Sequence, residues 1–224
     1  MFQEIYKNNE YHKNQKKGKK YGMFGSTLIL GILLYIAAVR WGSQTQAADY
    51  QKHMAQEILR FHVIANSDSE EDQALKMKVK EGVVDYVSNL TQMGEDLEST
   101  KYIINLYLEE IEQEAQRIIR QEGYTYETKV MLTESYFPIK TYGEAVFPAG
   151  VYQALKIEIG QAEGKNWWCV LYPNLCFVDS AYGVLEEDQK KMLKEVLTQE
   201  EYDSIFNVDS KDIKVSFKLF SGWE

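Results

Sequence analysis

The sequence predicts an α+β fold: a mixed or antiparallel sheet of about five strands with an αα-hairpin and a C-terminal helical region packed on it, preceded by an N-terminal signal or anchor helix. Three observations carry that expectation. Segments of apolar period two and segments of period near 3.6 are segregated along the chain, which disfavours a doubly wound parallel sheet. The 224 residues are 45% hydrophobic with 3 Pro and no evident repeat, enough for one sizeable core and too few for two ordinary ones. An uncharged run follows a lysine cluster near the N-terminus. The expected divisions are a basic cytoplasmic tail at 1–22, a signal peptide or membrane anchor at 23–40, a linker or cleavage region at 41–54, and an extracytoplasmic α+β domain at 55–224.

The run 23-MFGSTLILGILLYIAAV-39 has no charge and follows 16-KKGKK-20. At about 1.5 Å per residue it approaches the lower limit for spanning a hydrocarbon core of roughly 30 Å. Lysines before it and an acidic body after it predict an inside-to-outside orientation, with everything beyond residue 40 outside the cytoplasm. Thr45 and Ala47 approximate the small-x-small rule of signal peptidase and Ala48 offers a second choice. The other reading is an uncleaved anchor, which the long apolar run and Arg40 support and which would tie the protein to the membrane. The net charge of −9 divides unevenly: from residue 48 onward 18 basic residues face 32 acidic ones, a balance of −14. Such a body is repelled by phosphate backbones and anionic lipid, so nucleic-acid binding is not expected, and a basic partner surface or plain solubility fits better.

Along the body, 57-EILRFHVIA-65 alternates, with Ile58, Arg60, His62 and Ile64 on one face and Leu59, Phe61, Val63 and Ala65 on the other. Ser67 with Glu70 offers a capping box, and Asp68 with Glu71 a cap one residue later, for a helix beginning near Ser69 with Leu75, Val79, Val83, Tyr86 or Val87, and Leu90 inward. Gln92-Met93-Gly94 breaks it. A second helix follows, with Leu97, Ile104, Leu108, Ile111, Ala115 and Ile118 inward, Glu109, Glu110, Glu112, Glu114 and Arg117 outward, and Gly123 at its end. Period two returns at 124–137, and 136-YFPIKTYGEAVFPAG-150 reads as an aromatic, proline-bearing loop. Strands are expected at 151–160 and 166–172, a helical region at about 186–206, and a last strand at 213–219.

Cys169 and Cys176 are the only cysteines. If the chain turns at Tyr172-Pro173, positions 169 and 176 face each other within bridging distance, and an oxidising compartment permits the bond; two buried free thiols are the alternative. No zinc site is expected, because no second Cys or His pair lies nearby in sequence.

Two chemical readings of 66-NSDSEED-72 compete with the cap. Asn66, Asp68, Glu70 and Asp72 alternate as calcium ligands would, but counted from Asp68 the twelfth position of the loop is Val79 where an EF-hand needs Glu. Catalysis would rest on His62, with His12 in the tail and His53 in the expected linker; no nucleophile elbow, glycine-rich phosphate loop or HExxH is present. No cofactor is expected. The loop 136–150 is the better binding candidate: Tyr136, Phe137, Tyr142 and Phe147 have the character of aromatic anchors in protein contacts, unless they pack as a lid on the sheet.

Three blocks taken together, 59-LRFHVIANSDSEEDQALKMKVK-80, 147-FPAGVYQALKIEIG-160 and 164-GKNWWCVLYPNLCF-177, resemble the stage II sporulation protein R family over roughly residues 55–180. The resemblance implies a non-enzymatic signalling protein of endospore formation, exported from the forespore into the space between two membranes. There it would activate a membrane-embedded aspartic protease of the mother cell, which removes the pro-sequence of a mother-cell sigma factor precursor. The family brings no catalytic or contact residues to these positions. An extracytoplasmic enzyme acting on cell-wall material, with His62 and nearby acids as its acid/base pair, is the alternative.

Overall fold

The computed structural model describes residues 31–41, 49–91, 96–176 and 185–206. The chain divides into two compact units, Met1–Asp49 and Tyr50–Glu224. In the first, residues 31–41 are helical. Among the described residues no helix is long and apolar enough to cross a membrane. Residues 23–30 of the expected span, the cleavage positions 45–48 and the expected strand 213–219 lie outside the described residues.

The second unit opens with helical residues 50–57 (α1), whose Met54 is fully buried. The end of the expected linker, 41–54, therefore belongs to the folded body. Strand β1 (Leu59–Ile64) follows, then helices α2 (Glu70–Thr91), α3 (Leu97–Leu106) and α4 (Leu108–Gln121). Next come β2 (Thr128–Phe137), β3 (Lys140–Tyr142), β4 (Ala145–Phe147), β5 (Gly150–Ile159) and β6 (Asn166–Tyr172), and finally α5 (Glu187–Val196) and α6 (Gln199–Phe206). Strands and helices are segregated and the sheet is mixed, so the class is α+β as expected.

The main sheet has the order β2-β5-β1-β6. β1 runs parallel to β5 and antiparallel to β6, and β2 pairs antiparallel with β5. A parallel neighbour needs a long connection, and here it runs from β1 through α2–α4, β2 and the β3–β4 hairpin before reaching β5. Both faces of β1 are covered. Leu59, Phe61 and Val63 pack with Leu75, Val79 and Val83 of α2 and Ile111 and Ala115 of α4 in one core. Ile58 on the opposite face joins Met54, Phe137, Phe147, Tyr152 and Leu193 in a second. At about 25 cal/mol per Å² of apolar surface removed from water, these two cores are the main source of stability.

Several expected elements split or lengthened. The long second helix is two, because Tyr107 takes φ −108° and ψ 22°, and its N–H is shared between the carbonyls of Ile103 and Ile104. Asp96 and Ser99 form a reciprocal capping box at the start of α3. Glu112, expected on the wet side, instead accepts from Val130 N at 2.9 Å, and Gln116 accepts from Thr128 N at 3.2 Å, so α4 pins the edge strand β2. The 136–150 segment is no open loop: β2 runs through Phe137, and β3 and β4 form a separate two-stranded hairpin turning at Gly143, whose φ of 58° suits a tight turn. The region 186–206 is likewise two helices, α5 and α6.

Candidate functional site

The polar groups of the joint between β1 and α2 are turned on one another. Ser69 caps α2, accepting from Asp72 N at 3.2 Å, so the cap lies one or two residues beyond the expected Ser67 and Asp68 pairings with Glu70 and Glu71. Ser67 instead accepts from Ser69 N and donates to Asp72 Oδ2 at 2.6 Å. Asn66 donates to the same carboxylate at 2.8 Å. Burial pushes the Asp72 carboxyl up, but the hydrogen bonds from Ser67, Asn66 and Tyr126 outweigh it and hold it below the ordinary carboxylate range.

The same joint clasps the β5–β6 turn. Asn66 Oδ1 accepts from Gln161 N at 3.0 Å, Asp68 Oδ1 from Lys165 N at 2.7 Å, and Gly164 N donates to Ala65 O at 2.9 Å. A Cβ on Gly164 would stand 2.1 Å from Ser67 O, so glycine is what lets the turn close. Of the residues weighed as calcium ligands, Asn66, Asp68 and Asp72 all accept protein donors here.

His62 is buried. Its ring stacks on Trp168 at 3.7 Å between centroids and its Nε2 meets Asn166 Oδ1 at 2.5 Å. Burial, which disfavours the imidazolium, pushes its pKa down to about 4. The ring is neutral at pH 7, and its hydrogen-bonded partner is an amide.

The most unusual side chain is Arg60, which sequence reading passed over. It is fully buried beneath hairpin β3–β4. Its guanidinium carbon lies 4.4 Å from the ring centre of Phe137, 5.1 Å from Tyr152, 5.5 Å from Phe147 and 5.6 Å from Tyr142. Nη2 donates to the Tyr142 hydroxyl at 3.0 Å, while Nε and Nη1 have no hydrogen-bond partner among the described residues. Burial pulls the guanidinium below its ordinary pKa, and Tyr142 and Tyr152 push it back up. Each cation–π contact contributes about 0.5–2 kcal/mol. Each unsatisfied buried N–H costs about 1–3 kcal/mol, and desolvating the cation costs several more. Four such contacts total about 2–8 kcal/mol, the same order as those costs, so Arg60 brings little net stability to the fold. Its signal in the sequence was a charge on the more polar face of an alternating strand.

The aromatic residues named as candidate anchors are thereby divided. Phe137 and Phe147 are fully buried and Tyr142 is half-buried against them, so these three form the cage and the lid instead of a contact surface. Tyr136 alone stands out, 65% exposed, opposite the exposed Val151 on β5. Elsewhere on the body a groove of about 650 Å³ is lined by Glu57, Asp96, Glu98 and Glu195 around Tyr172 and Met192. Burial, and then Asp96, Glu195 and Glu57, raise the Tyr172 pKa. Its charge suits a basic surface.

Cys169 and Cys176 are disulfide-bonded, with Cα atoms 5.2 Å apart. Leu175 N donates to Val170 O at 3.0 Å, so the chain folds back in the expected register, through a turn instead of a further strand.

These features define an α+β protein with two cores, stapled at one sheet edge, whose distinctive polar side chains point inward. The chain belongs to the stage II sporulation protein R family, whose profile matches residues 55–182. It is 36% identical over 140 residues to the stage II sporulation protein R of Bacillus subtilis (strain 168), a match covering 62% of each chain. No solved structure matches it.

Proposed function

We propose that this protein is an exported, non-enzymatic signalling protein of endospore formation. On this reading it acts outside the cytoplasm, between the forespore and mother-cell membranes, secreted or held by residues 23–39. It binds the extracytoplasmic face of a membrane-embedded aspartic protease of the mother cell and shifts that protease toward its active state, promoting processing of a sigma factor precursor. The observation that carries the reading is the family match over residues 55–182, which spans most of the folded body. The lysine-flanked apolar segment, the disulfide and the acid-lined groove all fit an exported protein that meets a basic surface.

The test is co-expression of the full chain with the protease and the sigma precursor, followed by affinity capture from solubilised membranes and measurement of precursor cleavage. Co-capture with cleavage that depends on this chain is the expected result; cleavage equally fast without it would remove the activator role. His62→Gln, with folding checked, keeps full activation if the protein works by binding. A loss of activation in that folded variant would favour the acid–base reading.

A further inference from the structure

Among the described residues, the buried side-chain nitrogens without a hydrogen-bond partner are Arg60 Nε, Arg60 Nη1 and His62 Nδ1. Two of the three belong to one guanidinium, and a buried polar group left unpaired in a folded protein calls for an explanation. The body from residue 48 carries 32 carboxylate side chains, yet no ion pair to Arg60 occurs among the described residues. The cation is held by four rings and one phenol hydroxyl, all neutral at pH 7.

Its cover is hairpin β3–β4, whose Ala145 and Phe147 are buried in the second core. Hairpin β3–β4 is a separate two-stranded sheet with no strand pairing to β2, β5, β1 or β6. Among the described residues two polar side-chain links add to the packing of Ala145 and Phe147: the Arg60 to Tyr142 hydrogen bond, and an ion pair of 2.5 Å from Glu144 at the hairpin turn to Lys190 on α5. With no strand pairing to the main sheet, the hairpin can part from it without breaking the main sheet's backbone ladder, at the cost of exposing Ala145 and Phe147. Withdrawing Tyr142 on this hairpin frees Nη2, and Nη2 with Nε is the side-on fork that grips a carboxylate in two parallel hydrogen bonds. Lys140, half-buried on the same hairpin, adds positive charge beside it.

We propose that Arg60 is the receptor for an Asp or Glu side chain of a protein partner, uncovered when hairpin β3–β4 lifts off the sheet. The proposal rests on the reading that this body works by binding a partner, and it names the chemistry of that contact. The partner's carboxylate displaces the Tyr142 hydroxyl and supplies the counter-charge that the closed state lacks. Lysine cannot replace arginine here, because an ammonium has no planar fork.

Two measurements on the full chain test it. In the first, Arg60→Met and Arg60→Lys are compared with wild type for capture of the co-expressed protease. Both variants are expected to fold, with Arg60→Met melting no lower than wild type, and to bind about thirty-fold more weakly or worse, the loss that follows removal of one partner of a buried ion pair. Folded Arg60→Met that binds as wild type does overturns the proposal.

The second needs neither the partner nor a stable Arg60 variant. Phenylglyoxal labelling of Arg60 is followed by peptide mass spectrometry, with sodium acetate as probe against sodium chloride at equal ionic strength. Labelling is expected to be slow in wild type, several-fold faster in Glu144→Gln where the hairpin loses its tie to α5, and slowed by acetate alone. Absence of labelling in Glu144→Gln, or equal protection by both salts, overturns it. Acetate protection combined with unchanged protease binding by Arg60→Met would reassign the site to a free small carboxylate and overturn the protein partner. If the wild-type chain captures no protease, the functional reading above falls, and the labelling alone decides whether Arg60 receives a carboxylate.

Discussion

Replacing Gly164 with alanine attacks the clasp between the β1–α2 joint and the β5–β6 turn. The added Cβ would lie 2.1 Å from Ser67 O, 2.6 Å from Ser67 C and 2.9 Å from Ala65 Cβ. The nearest two of these are backbone atoms, so no side chain can swing away and the two segments must part. Parting them weakens the bonds from Gly164 N to Ala65 O and from Glu163 N to Asn66 O, which are 2.9 and 3.2 Å long. Two hydrogen bonds at about 0.5–1.5 kcal/mol each, added to about 1–3 kcal/mol for forced overpacking, give a loss of roughly 2–6 kcal/mol. Against a total stability of about 5–15 kcal/mol that is a large share, and in a body of this size it lowers Tm by roughly 4–24 °C. Gly123→Ala is the control: its φ of 85° strains an alanine, but nothing lies within 4 Å of the new Cβ, so about 1–2 kcal/mol is expected. Urea and thermal unfolding of the two variants measure the difference. A Gly164→Ala protein within about 0.5 kcal/mol of wild type, the range of ordinary surface substitutions, would refute the close approach on which the clasp depends.

The remaining expectations concern the staple, the buried histidine and the aromatic residues. Cutting the Cys169–Cys176 bridge, which closes a separation of 7 residues, costs about 2.5 kcal/mol on the loop-entropy account, and unfolding with and without reductant checks it. Alkylation of the unreduced protein should modify neither cysteine. His62 has a folded pKa near 4 against 6.5 unfolded, so below about pH 6.5 the unfolded chain takes up a proton that the native ring refuses. Stability therefore falls as pH drops from about 6.5 through about 4, by roughly 2 kcal/mol at pH 5, and His62→Gln should flatten that slope in pH-dependent unfolding. Asp72, held low in the native state, adds an acid-sensitive contribution that is present above the ordinary carboxylate range and is lost as pH falls below it. Phe147→Ala should destabilise by about 3–5 kcal/mol as a core truncation, whereas Tyr136→Ser should leave stability within about 0.5 kcal/mol; a mild Phe147→Ala would contradict its burial.

Much of the fold was legible because its signals are local. Alternation in 59–64, the acid-rich start of α2, and the inward stripes of α2 and α4 each report the periodicity of one segment burying one face. The cysteine pairing was legible for the same reason, since a short turn at Pro173 sets the register by counting. The split at Tyr107 was not, because apolar spacing runs unbroken through Leu108 and only the backbone angles of one residue mark the break. The cap at Ser69 was missed by a residue or two because Ser67, Asp68 and Ser69 are all competent, and contacts from the β5–β6 turn decide among them.

The site was less legible than the fold. Tyr136 and Phe137 are adjacent and chemically alike, yet one is 65% exposed and the other wholly buried, because successive strand residues face opposite sides and only one side here is covered by the hairpin. The sequence by itself determined the class of fold, the acidic body and the family to which the chain belongs. Tertiary structure alone decided that β1 lies between β5 and β6 with both faces covered, and hence that Arg60, which an exposed face would have left in water, is sealed among aromatic rings with no counter-charge among the described residues. A period of two reveals that a strand has two faces. What covers the second face depends on segments more than seventy residues away in the chain, and no local pattern encodes that meeting.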